Sequence, residues 1–280
     1  MKRRLPVLLP VGAAILVGVI VVWGIGSARE IAIESVIEDP TSEPVPSASC
    51  ITDVAPDALT DGPNLADYLT YVPSVAPITK PVTKFGGQPV WIEEPQWPLS
   101  AVSGQQMAFV GQIAIDPDLF PGAAGRMAYI FVGHPADPIV APWEPDSGEN
   151  AVIIQPSSAS PPVEVVATAI GPQLPSETDG ISEYSVTPDR RTDDAFIPLI
   201  DLVELPEQQM LDYQERLVGD KIGGTPTFLQ NDEFPSCEEG YSLLWQVEAP
   251  PVWINLGDGG VGFAFLDATG ETGRFLSQSH

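Results

Sequence analysis

The sequence predicts a β-rich α+β fold in which two related β units share one core. Three observations predict it. Proline and glycine are abundant, 31 and 25 among 280 residues, which disfavours a helical bundle and suits strands joined by turns. Hydrophobic residues make up 44% of the chain, enough to fill a core and too many for a wholly disordered chain. Finally, a block that begins at Lys84 returns at Lys221.

That block is Lys84-Phe85-Gly86-Gly87-Gln88-Pro89-Val90-Trp91-Ile92, matched 137 residues later by Lys221-Ile222-Gly223-Gly224-Thr225-Pro226-Thr227-Phe228-Leu229. Trp97-Pro98 meets Phe234-Pro235 at the same offset. With three residues then lost, residues 109–113 face 243–247, which sets Gln112 against Gln246. Gly125, Met127, Tyr129 and Phe131 next meet Gly259, Val261, Phe263 and Phe265. Four blocks in order, with one gap, define repeats over 84–131 and 221–265. In each copy Gly-Gly-x-Pro makes a turn: glycine permits positive φ, and proline holds the next segment extended. A strand, an aromatic-proline corner, an apolar strand with one central Gln, and an alternating strand follow. Two copies of this length fit neither a solenoid nor a propeller.

The N-terminus has a different composition. Residues 5–28 carry no charge, follow Lys2, Arg3 and Arg4, and are long enough to cross a bilayer core of about 30 Å. Residues 1–28 therefore read as a basic cytoplasmic tip and a single transmembrane anchor, with the rest of the chain extracytoplasmic. The alternative is a signal sequence cleaved at Gly26-Ser27-Ala28. Residues 29–50, with Pro40, Pro44 and Pro46 among Ser, Thr and Glu, read as a disordered stalk. Residues 51–280 form the domain. Within it Leu65, Tyr68, Leu69 and Val72 recur at helical spacing behind Asn64, predicting a helix from Asn64 to Val72. A second helix is predicted from Pro206 to Val218, with Gly219 just past its end and Met210, Tyr213 and Leu217 as its stripe. The region from Gly133 to Asp194 reads as long connections carrying strands at 151–154 and 163–170.

The ordered set of Lys-Phe-Gly-Gly-x-Pro, Trp97-Pro98, the Gln112 strand, the helix before Gly223-Gly224, Gln230-x-Asp232, the Gln246 strand and Gly257-Asp258-Gly259-Gly260 resembles the YwqG-like domain family of unknown function. The resemblance runs from about Lys84 to Gln278 and implies one compact, duplicated, β-rich domain. It implies no reaction. The chain departs from the family in its anchor, in Leu256 where Trp is usual, and in Ser279 where Cys is common.

Charge narrows the function. With 38 acidic and 12 basic residues, the net charge is −26. Nucleic-acid binding is excluded, since it needs a basic footprint. Two His and two Cys leave no histidine-rich or all-cysteine metal site. His134 stands in a Pro-rich loop with no Gly-x-Ser-x-Gly elbow in the sequence, so no hydrolytic triad is read. Asp116-x-Asp118 and the acidic run 144–150 match no EF-hand register, and no metal or cofactor is assigned. Gln112, Gln246, Asp258 and Gly259 are the candidate ligand-binding residues, and each has a structural alternative in satisfying local backbone. Cys50 and Cys237, the two cysteines of an exported chain, are expected to pair. The expected role is a non-catalytic, membrane-anchored binding or interaction module for an unknown protein or small ligand. The alternatives are a carboxylate- or divalent-cation-dependent hydrolase and a protective protein against a secreted toxin.

Overall fold

A computed structural model describes residues 59, 62–133, 143–176, 178, 180–235 and 240–280, all within one unit, Val45–His280. The proposed anchor and stalk, Cys50, Cys237 and His134 lie outside the described residues. Among the described residues no helix is long and apolar enough to cross a membrane.

In chain order the elements are β1 (Asn64–Ser74), β2 (Lys84–Gly86), β3 (Trp97–Pro98), β4 (Ala108–Ala114), β5 (Met127–Val132), β6 (Asn150–Gln155), β7 (Val165–Val166) and β8 (Glu183–Asp193). Helices α1 (Leu199–Leu202) and α2 (Glu207–Leu217) follow, then β9 (Lys221–Gly223), β10 (Ser242–Val247), β11 (Val261–Leu266) and β12 (Gly273–Gln278). Ten strands close a barrel in the order β1-β8-β2-β4-β5-β6-β12-β11-β10-β9, and β3 pairs with β7 outside it.

Two runs of the barrel, β2-β4-β5-β6 and β9-β10-β11-β12, share one register. Lys84 faces Gln112 and Lys221 faces Gln246. Gln112 then faces Tyr129, and Gln246 faces Phe263. A register shift falls between Phe109 and Gly111 in one run and between Leu243 and Trp245 in the other. Met127 faces Gln155 as Val261 faces Gln278. These last strands end alike. Gln155 Oε1 accepts from Glu93 N and its Nε2 donates to Glu94 O, at 3.2 and 2.8 Å. Gln278 makes the same pair, its Oε1 accepting from Gln230 N and its Nε2 donating to Asn231 O, also at 3.2 and 2.8 Å, and its Oε1 accepts in addition from Leu229 N at 2.7 Å.

The barrel interior is filled from both runs, with Phe85 stacked on Trp245 at 4.9 Å between ring centroids. Each run also carries an outer aromatic layer, covered by the segment after its Gly-Gly-x-Pro turn. Trp91 lies nearly parallel to Phe131 at 6.1 Å, and Trp97 meets Phe131 edge-on at 5.2 Å. Phe228 and Phe234 do the same to Phe265 at 6.4 and 5.8 Å. Alternating residues thus face two apolar environments, which is why these strands read as nearly continuous apolar runs.

Three sequence expectations are corrected here. Residues 64–72 form β1, a strand. Of the supposed helical stripe, Leu65 is 45% and Val72 42% exposed, while Leu69 and Tyr71 point alike into the barrel core. Eleven paired positions with β8, from Asn64↔Asp193 to Ser74↔Glu183, outweigh a weak local helical pattern. The stretch from Gly133 to Asp194, expected to be long connections with two short strands, also holds that long strand β8. Of residues 163–170 only Val165–Val166 is strand. Helix α2 stands where expected, although Pro206 is its N-cap rather than its first residue. Gly219, at φ 119°, turns the chain into β9.

Candidate functional site

Gln112 and Gln246 are fully buried, and their amides serve loop backbone. Gln112 Oε1 accepts from Val90 N at 2.7 Å and its Nε2 donates to Val82 O at 2.9 Å. Gln246 Oε1 accepts from Thr227 N at 2.8 Å and its Nε2 donates to Gly219 O at 3.2 Å. Each amide holds the loop of its own run, as buried polar groups must be held.

The Gly-Gly turns are shaped around carboxylates. Both glycines of each pair have positive φ. A Cβ on Gly87 would collide with the Glu183 carboxylate, and one on Gly224 with that of Asp193. Those carboxylates bind Lys84 Nζ at 2.9 Å and Lys221 Nζ at 2.7 Å.

The acidic stretches also have internal partners. The Arg190 guanidinium reaches Asp67 at 2.8 Å, Asp116 at 2.6 Å and Asp118 at 3.2 Å, taking the place a cation would occupy. The Asp118 N–H and the Arg190 guanidinium hold the Asp116 carboxyl below the usual carboxylate range. In the run 144–150, buried Glu149 accepts from Ser100 Oγ at 2.7 Å and Val102 N at 3.1 Å. Among the described residues no cluster of three or more His, Cys, Asp or Glu suits a metal ion.

Space for a ligand is found around the Gly257-Asp258-Gly259-Gly260 turn. Gly257 and Gly259 have φ of 92° and 57°, and Asp258 O accepts from His280 N at 3.1 Å. A Cβ on Gly260 would strike the Leu256 carbonyl, so the turn is backbone-tight. A cleft lies on either side of Leu256. One, of about 500 Å³, has Gly259, Gly260 and several aliphatic residues in its wall, and its Glu248 already accepts from Gly219 N at 2.8 Å. The other, of about 420 Å³, presents Trp143, Glu144, Gln230, Glu233, Asn255 and Ser277. Both volumes suit a small molecule. Of the four candidate residues, Gly259 stands at a cleft, Asp258 lies in the turn that shapes both, and Gln112 and Gln246 line neither.

Residues 83–269 match the DUF1963 family, described as a domain of unknown function. The chain belongs to the DUF1963 family. No curated protein and no solved structure matches the chain. The DUF1963 match takes in both Gly-Gly-x-Pro turns and the Gly257–Gly260 turn, and stops short of Ser277, Gln278 and Ser279 in the cleft wall. β1 also lies outside it.

The sequence reading missed Trp143, Glu233 and Ser277 as cleft residues. The Gln that ends β6 and β12 was the available signal, because it extends the common pattern by one more strand.

Proposed function

We propose that this DUF1963 chain is a membrane-anchored, extracytoplasmic binding module of YwqG-like type, built by internal duplication. Its ligand site is the 420 Å³ cleft beside Leu256. The matched registers and the matched Gln155 and Gln278 bonds support the duplication. The uncharged run behind Lys2, Arg3 and Arg4 supports the anchor.

One observation carries the choice of cleft. At the end of β6 a recess of about 20 Å³ is lined by Gln96, Ile154 and Ser157. The second run, ending alike in Gln278, opens about 420 Å³. Two similar halves have diverged there, in keeping with a site acquired by one of them. Glu144 and Glu233 in the same wall keep a hydrolase using two carboxylates as the second reading.

A small-molecule panel tests the reading by thermal shift on the full chain in detergent, with Ser277→Ile closing the cleft. The expected result is a compound that stabilises the wild type and leaves the folded variant unmoved. Equal shifts in both proteins overturn the cleft, and turnover of the compound transfers the case to the hydrolase. Accessibility of a C-terminal tag to protease on intact cells tests the topology, and protection of the tag overturns it.

A further inference from the structure

We infer that the 420 Å³ cleft takes an organic cation bearing a primary ammonium group. This rests on the reading of that cleft as the ligand site. Glu144 and Glu233 line it, and among the described residues no Lys, Arg or His does. Neither carboxylate has a basic partner within ion-pair distance among the described residues, whereas Asp146, close by in sequence, is held by Arg274 at 3.1 Å. An anion would be repelled by these two carboxylates. A cation gains from them and from the field of a chain at −26.

The indole of Trp143 stands 56% exposed in the same wall. An indole face attracts an ammonium through its quadrupole and covers the carbon skeleton that carries it. Ser277 supplies the independent sign of a polar ligand. It is 5% exposed and lines the cleft, and its hydroxyl has no hydrogen-bond partner among the described residues. The matching position in the first run is Ile154, a core residue. Ala128 faces Ile154 as Gly262 faces Ser277. A hydroxyl in place of a packed isoleucine loses apolar burial, and here it offers an acceptor to an ammonium N–H. Glu233 keeps one oxygen for Gln278 Nε2 at 2.7 Å, which leaves the other for a ligand.

Calorimetric titration of the full chain in detergent decides the matter, using spermidine as the amine, choline as a quaternary ammonium without N–H donors, and glucose as a neutral polyol. Spermidine is expected to bind saturably, more tightly than choline, with glucose silent. Trp143→Ala and Glu233→Gln, each verified as folded by circular dichroism, should weaken spermidine about tenfold, within the range of a desolvated cation–π or charge-assisted contact. Spermidine binding unchanged in both variants would mark diffuse attraction to an acidic surface and overturn the inference. Glucose binding that Trp143→Ala abolishes would overturn the ammonium class and leave the cleft as the binding site. Silence of all three probes overturns the ammonium class as well, while a hit from the wider panel that Ser277→Ile removes would still uphold the cleft.

Discussion

Glu183 and Asp193, the first and last residues of β8, neutralise the two buried lysines of the barrel. Lys84 and Lys221 are 1% and 0% exposed. They occupy matched positions beside Gln112 and Gln246, yet both draw their counter-charge from one strand. β8 thereby ties the two runs together through electrostatics as well as through its pairing with β1 and β2.

Asp193→Ala should therefore be strongly destabilising, by about 3–5 kcal/mol, because it leaves Lys221 buried and unpaired. Asp193 also accepts from Tyr68 Oη at 2.8 Å and Thr225 N at 3.0 Å. Burial already pushes the Lys221 pKa down, against the pull of Asp193. Without the carboxylate it falls further. The unfolded chain then holds more protons than the folded one below the ordinary lysine pKa, so stability rises with pH and the deficit shrinks toward alkaline pH. Urea denaturation between neutral and alkaline pH measures this, and a deficit that stays constant would contradict it.

Gly224→Ala is expected to cost more than Gly104→Ala, although both positions have positive φ, 80° and 68°. At Gly104 nothing lies near an added Cβ, so only the backbone penalty of about 1–2 kcal/mol applies. At Gly224 the methyl must also displace the Asp193 carboxylate from its lysine. Equal midpoint shifts for the two variants would show that the turn yields without disturbing the ion pair.

Gln155→Leu orphans one loop N–H and one loop carbonyl, whereas Gln278→Leu orphans two loop N–H groups, those of Leu229 and Gln230, and one loop carbonyl, so both variants should lose stability and Gln278→Leu the more. About 2–4 kcal/mol is expected for two such groups. Amide exchange should quicken at Glu93 in the first variant and at Gln230 in the second. A larger loss from Gln155→Leu than from Gln278→Leu would contradict this count of partners.

Alkaline pH should unfold the domain through its tyrosines. Burial pushes Tyr129 and Tyr213 each up to about 12. Tyr68 and Tyr71 are raised as well, by burial and then by Asp193 and Asp220 respectively. A phenol with a raised folded pKa gives up its proton first in the unfolded chain. Its stabilising contribution is complete below about pH 10, and is lost as pH rises through 12. Phenolate absorbance should appear together with loss of β-sheet circular dichroism. Full ionisation of these tyrosines with the fold intact would contradict the assigned burial.

Local chemistry determined much of this protein. The Gly-Gly-x-Pro turns, the apolar strands behind them, helix α2 between Pro206 and Gly219, and the family resemblance all follow from residues adjacent in the chain. Short-range rules act on such neighbours directly, and the periodicities of 2 and 3.6 survive without knowledge of the fold. Tertiary structure alone decided β1 and β8. β1 carries a helical spacing that pairing overrides. β8 exposes six consecutive residues, 187–192, so it has no apolar alternation to betray it until a partner strand supplies its hydrogen bonds. The same holds for charge. Among 38 acidic residues, nothing in the order of the chain distinguishes Glu183 and Asp193, which neutralise buried lysines, from Glu144 and Glu233, which face an open cleft. Only long-range packing sets which carboxylate loses its water and must find a partner.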